Sequence, residues 1–257
     1  MVETRTSGKG KRYPFLALVI VLSVLAGALL GWTLTDVLDD EDGQPGPNEP
    51  YLPTIDPSKF TTTINKNFFP LIPGTKTIFE ANTDNGLEHT EVTVLTETTV
   101  VMGVTCVVVR DTVSVGGVVI EDTFDWYAQD EEGNVWYMGE DTKEYQDGEV
   151  VSTEGSWEAG IDGAMPGIVM LADPEVGLSY RQEYYKGEAE DMAQVVSLNV
   201  SATVPYGEFS NLLMTVEWTP LEPGLLEHKY YAEGIGVVLE WTVKGGSERV
   251  ELVQMTH

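Results

Sequence analysis

The chain has 257 residues, of which 42 are acidic and 14 basic, for a formal charge of −28. A surface this acidic repels phosphate backbones, which excludes nucleic acid as a partner. A single cysteine rules out an intrachain disulfide and any cysteine-based zinc site, while 42% hydrophobic residues are enough to fill a core.

Residues 1–14 form a polar tail carrying Arg5, Lys9, Lys11 and Arg12. Phe15 to Trp32 is an uncharged apolar run, extended weakly by Thr33, Leu34 and Thr35. About 20 helical residues cross a hydrocarbon core, and basic flanks stay in the cytoplasm. Asp36, Asp39, Asp40, Glu41 and Asp42 follow the run. Residues 15–35 are therefore expected to be an uncleaved, single-pass signal anchor in the cell membrane, with the C-terminal domain outside the cytoplasm. The rival is a signal peptide cleaved after Ala26-Gly27-Ala28, which would leave Leu29-Leu30-Gly31-Trp32 as a greasy new terminus. Residues 36–58 are rich in Asp, Glu, Gly and Pro, which cannot bury enough apolar surface to fold, and read as a disordered linker.

Residues 59–257 read as one extracytoplasmic β-domain. Runs at 75–82 and 88–101 are split by Asp84-Asn85-Gly86, and runs at 104–115 and 118–129 by Gly116-Gly117. Others follow at 134–145, 149–157, 178–186, 191–204, 208–218, 226–232, 235–243 and 247–255. β-prone runs joined by hairpin-like turns, without the helices that parallel crossovers need, predict an all-β fold. The expected form is an antiparallel meander making a strongly curved sheet, a half-barrel or a sandwich. The Gly/Pro-rich stretch Gly160–Gly177 is expected to be an irregular loop, and Ala189–Val195 to allow a turn or two of helix.

Trp126, Trp136 and Trp157 lie within the stretch Glu121–Gly163, which reads as two hairpins run together. Phe124, Trp126 and Ala128 alternate there with Asp125, Tyr127 and Gln129, the two-residue period of a strand. Aromatics at matching positions of neighbouring antiparallel strands meet, so the three tryptophans are expected in one neighbourhood with several carboxylates. The candidate ligand-binding residues are Asp125, Trp126, Trp136, Glu140, Trp157, Glu158, Asp162, Glu183 and Tyr184. Tryptophans mixed with acids suggest indole N–H to carboxylate anchoring, within the fold or toward a ligand.

Other constellations are thinner. Cys106 sits in the apolar run Met102–Arg110 and reads as buried and inert. His89, His228 and His257 show no metal spacing. Asp130-Glu131-Glu132-Gly133-Asn134 and Glu188-Ala189-Glu190-Asp191 hold oxygen ligands of the kind Ca²⁺ takes, but the first reads better as a hairpin turn. No cofactor is expected, Ca²⁺ being the one left open, and no catalytic residue is assigned.

The ending His228–Glu240, with an aromatic strand, a Gly-Ile-Gly bend and an apolar strand, resembles the closing hairpin of LolA/LolB-like half-barrels. The middle, with Asp125-Trp-Tyr-Ala-Gln-Asp130, Gly155-Ser-Trp-Glu-Ala-Gly160 and Gln182-Glu-Tyr-Tyr185, resembles a family of uncharacterised exported bacterial and archaeal β-rich proteins. That resemblance implies export and brings no activity with it. The expected role is a binding or envelope-structural module held at the membrane by its N-terminal helix. Two alternatives stand beside it: a carrier of a small apolar ligand on a concave aromatic sheet face, and a carbohydrate-active enzyme with paired carboxylates.

Overall fold

The computed structural model describes residues 51–257; the predicted basic tail, membrane anchor and most of the linker lie outside the described residues. Three short strands open the domain, β1 (Phe60–Thr61), β2 (Ile64–Lys66) and β3 (Phe69–Leu71). The long meander follows, with β4 (Lys76–Thr83), β5 (Gly86–Val101), β6 (Val104–Val115), β7 (Val118–Asp130) and β8 (Val135–Gln146). Irregular pieces come next: β9 (Glu149–Ser152), β10 (Trp157–Glu158), β11 (Met165–Met170), β12 (Ser179–Arg181) and β13 (Glu183–Tyr184). A second meander closes the chain, with β14 (Met192–Val204), β15 (Gly207–Trp218), β16 (Leu226–Ala232), β17 (Gly236–Lys244) and β18 (Arg249–Thr256).

The turns explain the hairpins. Gly116 and Gly117 both take positive φ, at 60° and 79°, the pair a two-residue turn needs to match the twist of β6 and β7. Every ladder is antiparallel, in the order β12-β14-β15-β16-β17-β18-β4-β5-β6-β7-β8-β11-β13. The last strand pairs with the first of the long meander, from Val250 opposite Ala81 to Thr256 opposite Lys76. The two ends of the series, β12 and β13, are separated only by Gln182. The result is a nearly closed, barrel-like sheet with a seam at β11–β13, where the sequence left a half-barrel or sandwich open. No α-helix occurs among the described residues; Pro57–Lys59 makes one 3₁₀ turn, its first N–H groups met by Asp56.

Two expectations are corrected. Met165–Met170, inside the predicted irregular loop, is a strand because it pairs with β8, Gly167 opposite Tyr137 and Ile168 opposite Trp136. Ala189–Val195 forms no helical turn; Met192–Val195 pairs with β15, and cross-strand pairing overrides the weak local preference. At the seam, Gly167 is required: a Cβ there would overlap the carbonyl group of Gln182 and lie 2.6 Å from the carbonyl oxygen of Arg181. Tyr51, within the predicted linker, packs on the barrel at the same place, its hydroxyl donating to the Pro166 carbonyl at 3.0 Å.

The apolar core runs through Phe79, Val92, Val94, Val107, Val109, Tyr127, Leu213, Leu239 and Leu252. Cys106 is fully buried within it, and burial pushes its thiol up to about 12.

Candidate functional site

On a strand, side chains at two-residue spacing share a face, and residues opposite each other on neighbouring strands share it too. Following the core valines by this rule leads to carboxylates. Val109 and Val113 of β6 share the inner face with Asp111; opposite them on β7 stand Glu121, Thr123 and Asp125, and on β8 Thr142 and Glu140. The other wall repeats the arrangement: Glu217 on β15 is opposite Glu227 on β16, and Lys229 is opposite Glu240 on β17. With Glu88, Glu183 and Asp191, ten carboxyl side chains are buried in the sheet, Asp130 of the β7–β8 turn aside. The buried cations among the described residues are Lys229 and Arg181.

Lys229 serves the β15–β17 wall. Its ammonium lies 3.1 Å from Glu217 and 3.5 Å from Glu240. Burial acts to lower its proton affinity, but Glu217, Glu240 and Glu227 outweigh that and hold it charged. Arg181 belongs elsewhere. Its neighbour Tyr180 pairs with Ala193 on the inner face, so Arg181 turns outward, where its guanidinium lies 4.8 Å from the Tyr184 ring centroid and 5.5 Å from that of Tyr51.

On the side of β6–β8, Lys229 still pulls on Glu183, but less than burial and Asp191 push it up. Asp125 is fully buried and accepts the Tyr137 hydroxyl at 2.7 Å; Glu183 accepts the Trp157 indole N–H at 3.1 Å. Glu121 accepts the Thr123 hydroxyl at 3.2 Å, and Thr123 also bonds to Thr142. No protein donor reaches either carboxylate oxygen of Asp111, Oδ2 of Asp125, Oε2 of Glu140 or the hydroxyl of Tyr127. Burial, and then the neighbouring carboxylates, raise the proton affinity of Asp111 and Glu140 far above the usual carboxylate range. Burial lifts Asp125 to about 7 against the opposing pull of its Tyr137 hydrogen bond, and Glu121 to about 8. Asp111 and Glu140 therefore hold protons at neutral pH, where Asp125 is divided between its two forms, because an ionised carboxylate buried without a partner is costly.

The aromatics form the wall of this end. Tyr127 stacks on Tyr137 with centroids 5.0 Å apart, Trp157 meets Tyr137 edge-on at 5.3 Å, and Phe69 lies 5.6 Å from Tyr127. Trp157 reaches Tyr137 because β10 approaches β8 at Gly139, whose φ is +135°; a Cβ there would collide with the Trp157 carbonyl.

Of the residues singled out from sequence, the structure therefore gathers Asp125, Glu140, Trp157 and Glu183. Trp126 comes beside them, its ring at the Gly139 approach of Trp157, while the others lie apart. Trp136 donates at 2.7 Å to Asp130 in the β7–β8 turn and meets Phe60 edge-on. Trp126, on the face opposite to Asp125, is partly buried. Glu158 and Asp162 are exposed, Asp162 at φ 51° in the turn before β11, and Tyr184 lies at the seam under Arg181. Asp130, one proposed calcium ligand, already accepts from the Asn134 backbone, the Asn134 side chain and Trp136, which makes 130–134 a built turn. Among the described residues no three His, Cys, Asp or Glu side chains converge as a metal group.

Asp111, Glu121, Tyr127, Tyr137, Glu217, Glu227, Lys229 and Glu240 were not singled out. Their signal was parity: each stands at two-residue spacing from core residues, as in Val109-x-Asp111-x-Val113 and Glu227-x-Lys229-x-Tyr231.

No family model matches the chain, and no curated protein matches it. Two solved structures do overlap with it. One is a Bacteroides fragilis protein of YmcC-like fold, inferred to be exported, at 16% identity and TM-score 0.42, covering 75% of this chain and 100% of that one. The other is an inferred lipoprotein of Parabacteroides distasonis, at 12% identity and TM-score 0.40, covering 74% and 99%. Overlap that loose assigns neither a fold family nor a role.

Proposed function

We propose that the chain is a membrane-tethered binding module of the cell envelope, with its β-domain outside the cytoplasm and the barrel interior as its binding compartment. Support for the placement is the charge asymmetry around residues 15–35, basic before and acidic after. The observation that carries the binding reading is Asp111, whose two carboxylate oxygens are buried without a donor in a ring of further buried carboxyls. A barrel with only a structural task is served by apolar residues, since each buried, unsatisfied polar group costs about 1–3 kcal/mol. Natural folds keep such groups where they have work to do, which makes a perturbed carboxyl cluster a functional-site signature.

Neither alternative finds a comparable observation. An apolar ligand would meet carboxylates on this inner face. Asp125 and Glu140 are neighbours in one ladder, side by side on one face of the sheet, whereas glycoside hydrolysis needs two carboxyls on opposite sides of the scissile bond.

Native mass spectrometry of the full-length chain, purified from its own host, tests the compartment. A bound small molecule that is lost in Asp111→Asn is the expected result; an empty wild-type chain sinks the reading. For the placement, a reporter fused after His257 is expected to work only outside the cytoplasm. N-terminal sequencing that starts at Leu29 would replace the anchor by a cleaved signal peptide.

A further inference from the structure

We propose that the Tyr127 end of the compartment, bounded by Asp111, Asp125, Glu140 and Glu183, binds a small organic cation bearing N–H donors, a primary ammonium or a guanidinium. The inference rests on the compartment reading above and names its ligand class.

Three observations point the same way. The first is an imbalance of hydrogen-bonding groups. Both oxygens of Asp111, one each of Asp125 and Glu140, and the Tyr127 hydroxyl lack a partner, and the residues bearing them are 0–2% exposed. The donors at this end are already used: the Tyr137 hydroxyl on Asp125 and the Trp157 indole on Glu183. Once a carboxyl gives up its proton, the acceptors left over call for a ligand rich in donors.

The second is that Tyr127, which is no part of an acidic cluster, is aimed into this one. It stacks on Tyr137, whose hydroxyl ends on Asp125, and burial together with the negative field of Asp125, Glu140, Asp111 and Glu183 holds its phenol protonated. The third is the wall of Tyr127, Tyr137 and Trp157 rings. Aromatic faces attract organic cations, and most strongly when water is excluded.

The same observations discriminate among cations. A hard divalent ion needs six or more convergent oxygens, and no three acidic side chains of the described residues converge in that way. A quaternary ammonium would suit the rings but leave every orphaned acceptor orphaned. A primary ammonium, with three donors, or a guanidinium, with five, satisfies both requirements. In the free protein Asp111 and Glu140 hold protons, so a cation that pairs with either releases one: the carboxyl gives up H⁺ and the cation pairs with the carboxylate left behind. Glu183 stands on β13, at the seam, where two residue pairs join β13 to β11, Met165 opposite Tyr184 and Pro166 opposite Glu183.

The experiment is isothermal titration of the full-length chain in detergent with 1,4-diaminobutane, agmatine, tetramethylammonium chloride and CaCl₂, in two buffers of different ionisation heat. Saturable binding of diaminobutane or agmatine with proton release, and none of tetramethylammonium, is expected. Tyr127→Phe, which deletes only the hydroxyl, should keep the near-ultraviolet spectrum of the fold and weaken binding about tenfold. Silence of both amines, equal binding of tetramethylammonium, a Ca²⁺ response without an amine response, or unchanged affinity in Tyr127→Phe each overturns the proposal. The underlying reading fails separately: an uncharged or anionic molecule found by mass spectrometry and lost in Asp111→Asn would keep the compartment and discard the cation.

Discussion

Glu121 offers the most direct measure of what the acid-lined interior costs. It lies on β7 opposite Val113 and Glu144, and burial, with Glu144, Asp125 and Glu88 adding to it, lifts it from 4.5 to about 8 against the opposing Thr123 hydrogen bond. A carboxyl raised in this way is protonated in both folded and unfolded chains below pH 4.5, so its contribution is neutral there. As pH climbs through the window from 4.5 to about 8, the unfolded chain releases the proton while the folded one keeps it, and stability falls. The full gap corresponds to roughly 4–5 kcal/mol, which water entry and relaxation reduce to about 2–3 kcal/mol. Glu121→Gln keeps the shape and an acceptor for Thr123 but removes the titration. Urea unfolding of the full-length chain, followed by tryptophan fluorescence, is the assay. At about pH 4 the variant and wild type should agree within roughly 0.5 kcal/mol, and at about pH 9 the variant should be the more stable by about 2–3 kcal/mol. Parallel pH slopes for the two proteins would refute the reasoning, because they would mean that Glu121 reaches water in the folded state.

Lys229→Met removes the ammonium that Glu217 and Glu240 share and should cost about 3–5 kcal/mol, with a steeper loss of stability toward alkaline pH, read from the same unfolding curves. Gly167→Ala drives a methyl into the Gln182 carbonyl and should lower the melting temperature while speeding amide exchange at β11–β13 ahead of β4–β8. Trp157→Phe deletes the donor to Glu183 and should destabilise by about 1–3 kcal/mol; an unchanged melting curve would show that Glu183 finds another donor. The Cys106 thiol, buried and raised to about 12, should resist thiol reagents at neutral pH until urea unfolds the chain, and fast native labelling would contradict its burial.

How much of this could be read from the sequence differs by element. The long strands were legible because their ends carry turn chemistry: Gly116-Gly117 and Asp84-Asn85-Gly86 mark hairpins wherever they fall between β-prone runs. β11 was not, because Met165-Pro-Gly-Ile-Val-Met170 earns its strand from pairing with β8 and from nothing local. Closure was equally hidden, since it depends on β18 meeting β4 and on β11 lying against Gln182, contacts that no stretch of sequence announces. Within the site, Trp157 and Glu183 could be suspected as an indole–carboxylate pair, and the structure shows that bond. The wider ring of acids was masked by composition: among 42 acidic residues, those at core parity look like the many that merely solubilise the surface. Lys229 was the better clue, a lone basic residue between Glu227 and Tyr231 on the buried parity of its strand.

Tyr51 has a mechanical consequence. It is the first described residue of the domain, its hydroxyl holds the Pro166 carbonyl of β11, and its ring meets Tyr184 of β13 edge-on at 5.9 Å. Tension arriving from the amino-terminal side would thus act first on the seam, where two residue pairs join β11 to β13, and only afterwards on the long ladders of β4–β8. Pulled from that end, the barrel is loaded like a zipper at its slider, one rung at a time. Pulled from His257, it is loaded through β18, which is hydrogen-bonded along its length to β4, so that six paired positions resist together. The two ends of this domain should therefore differ in strength under force, with the amino-terminal end as the compliant one.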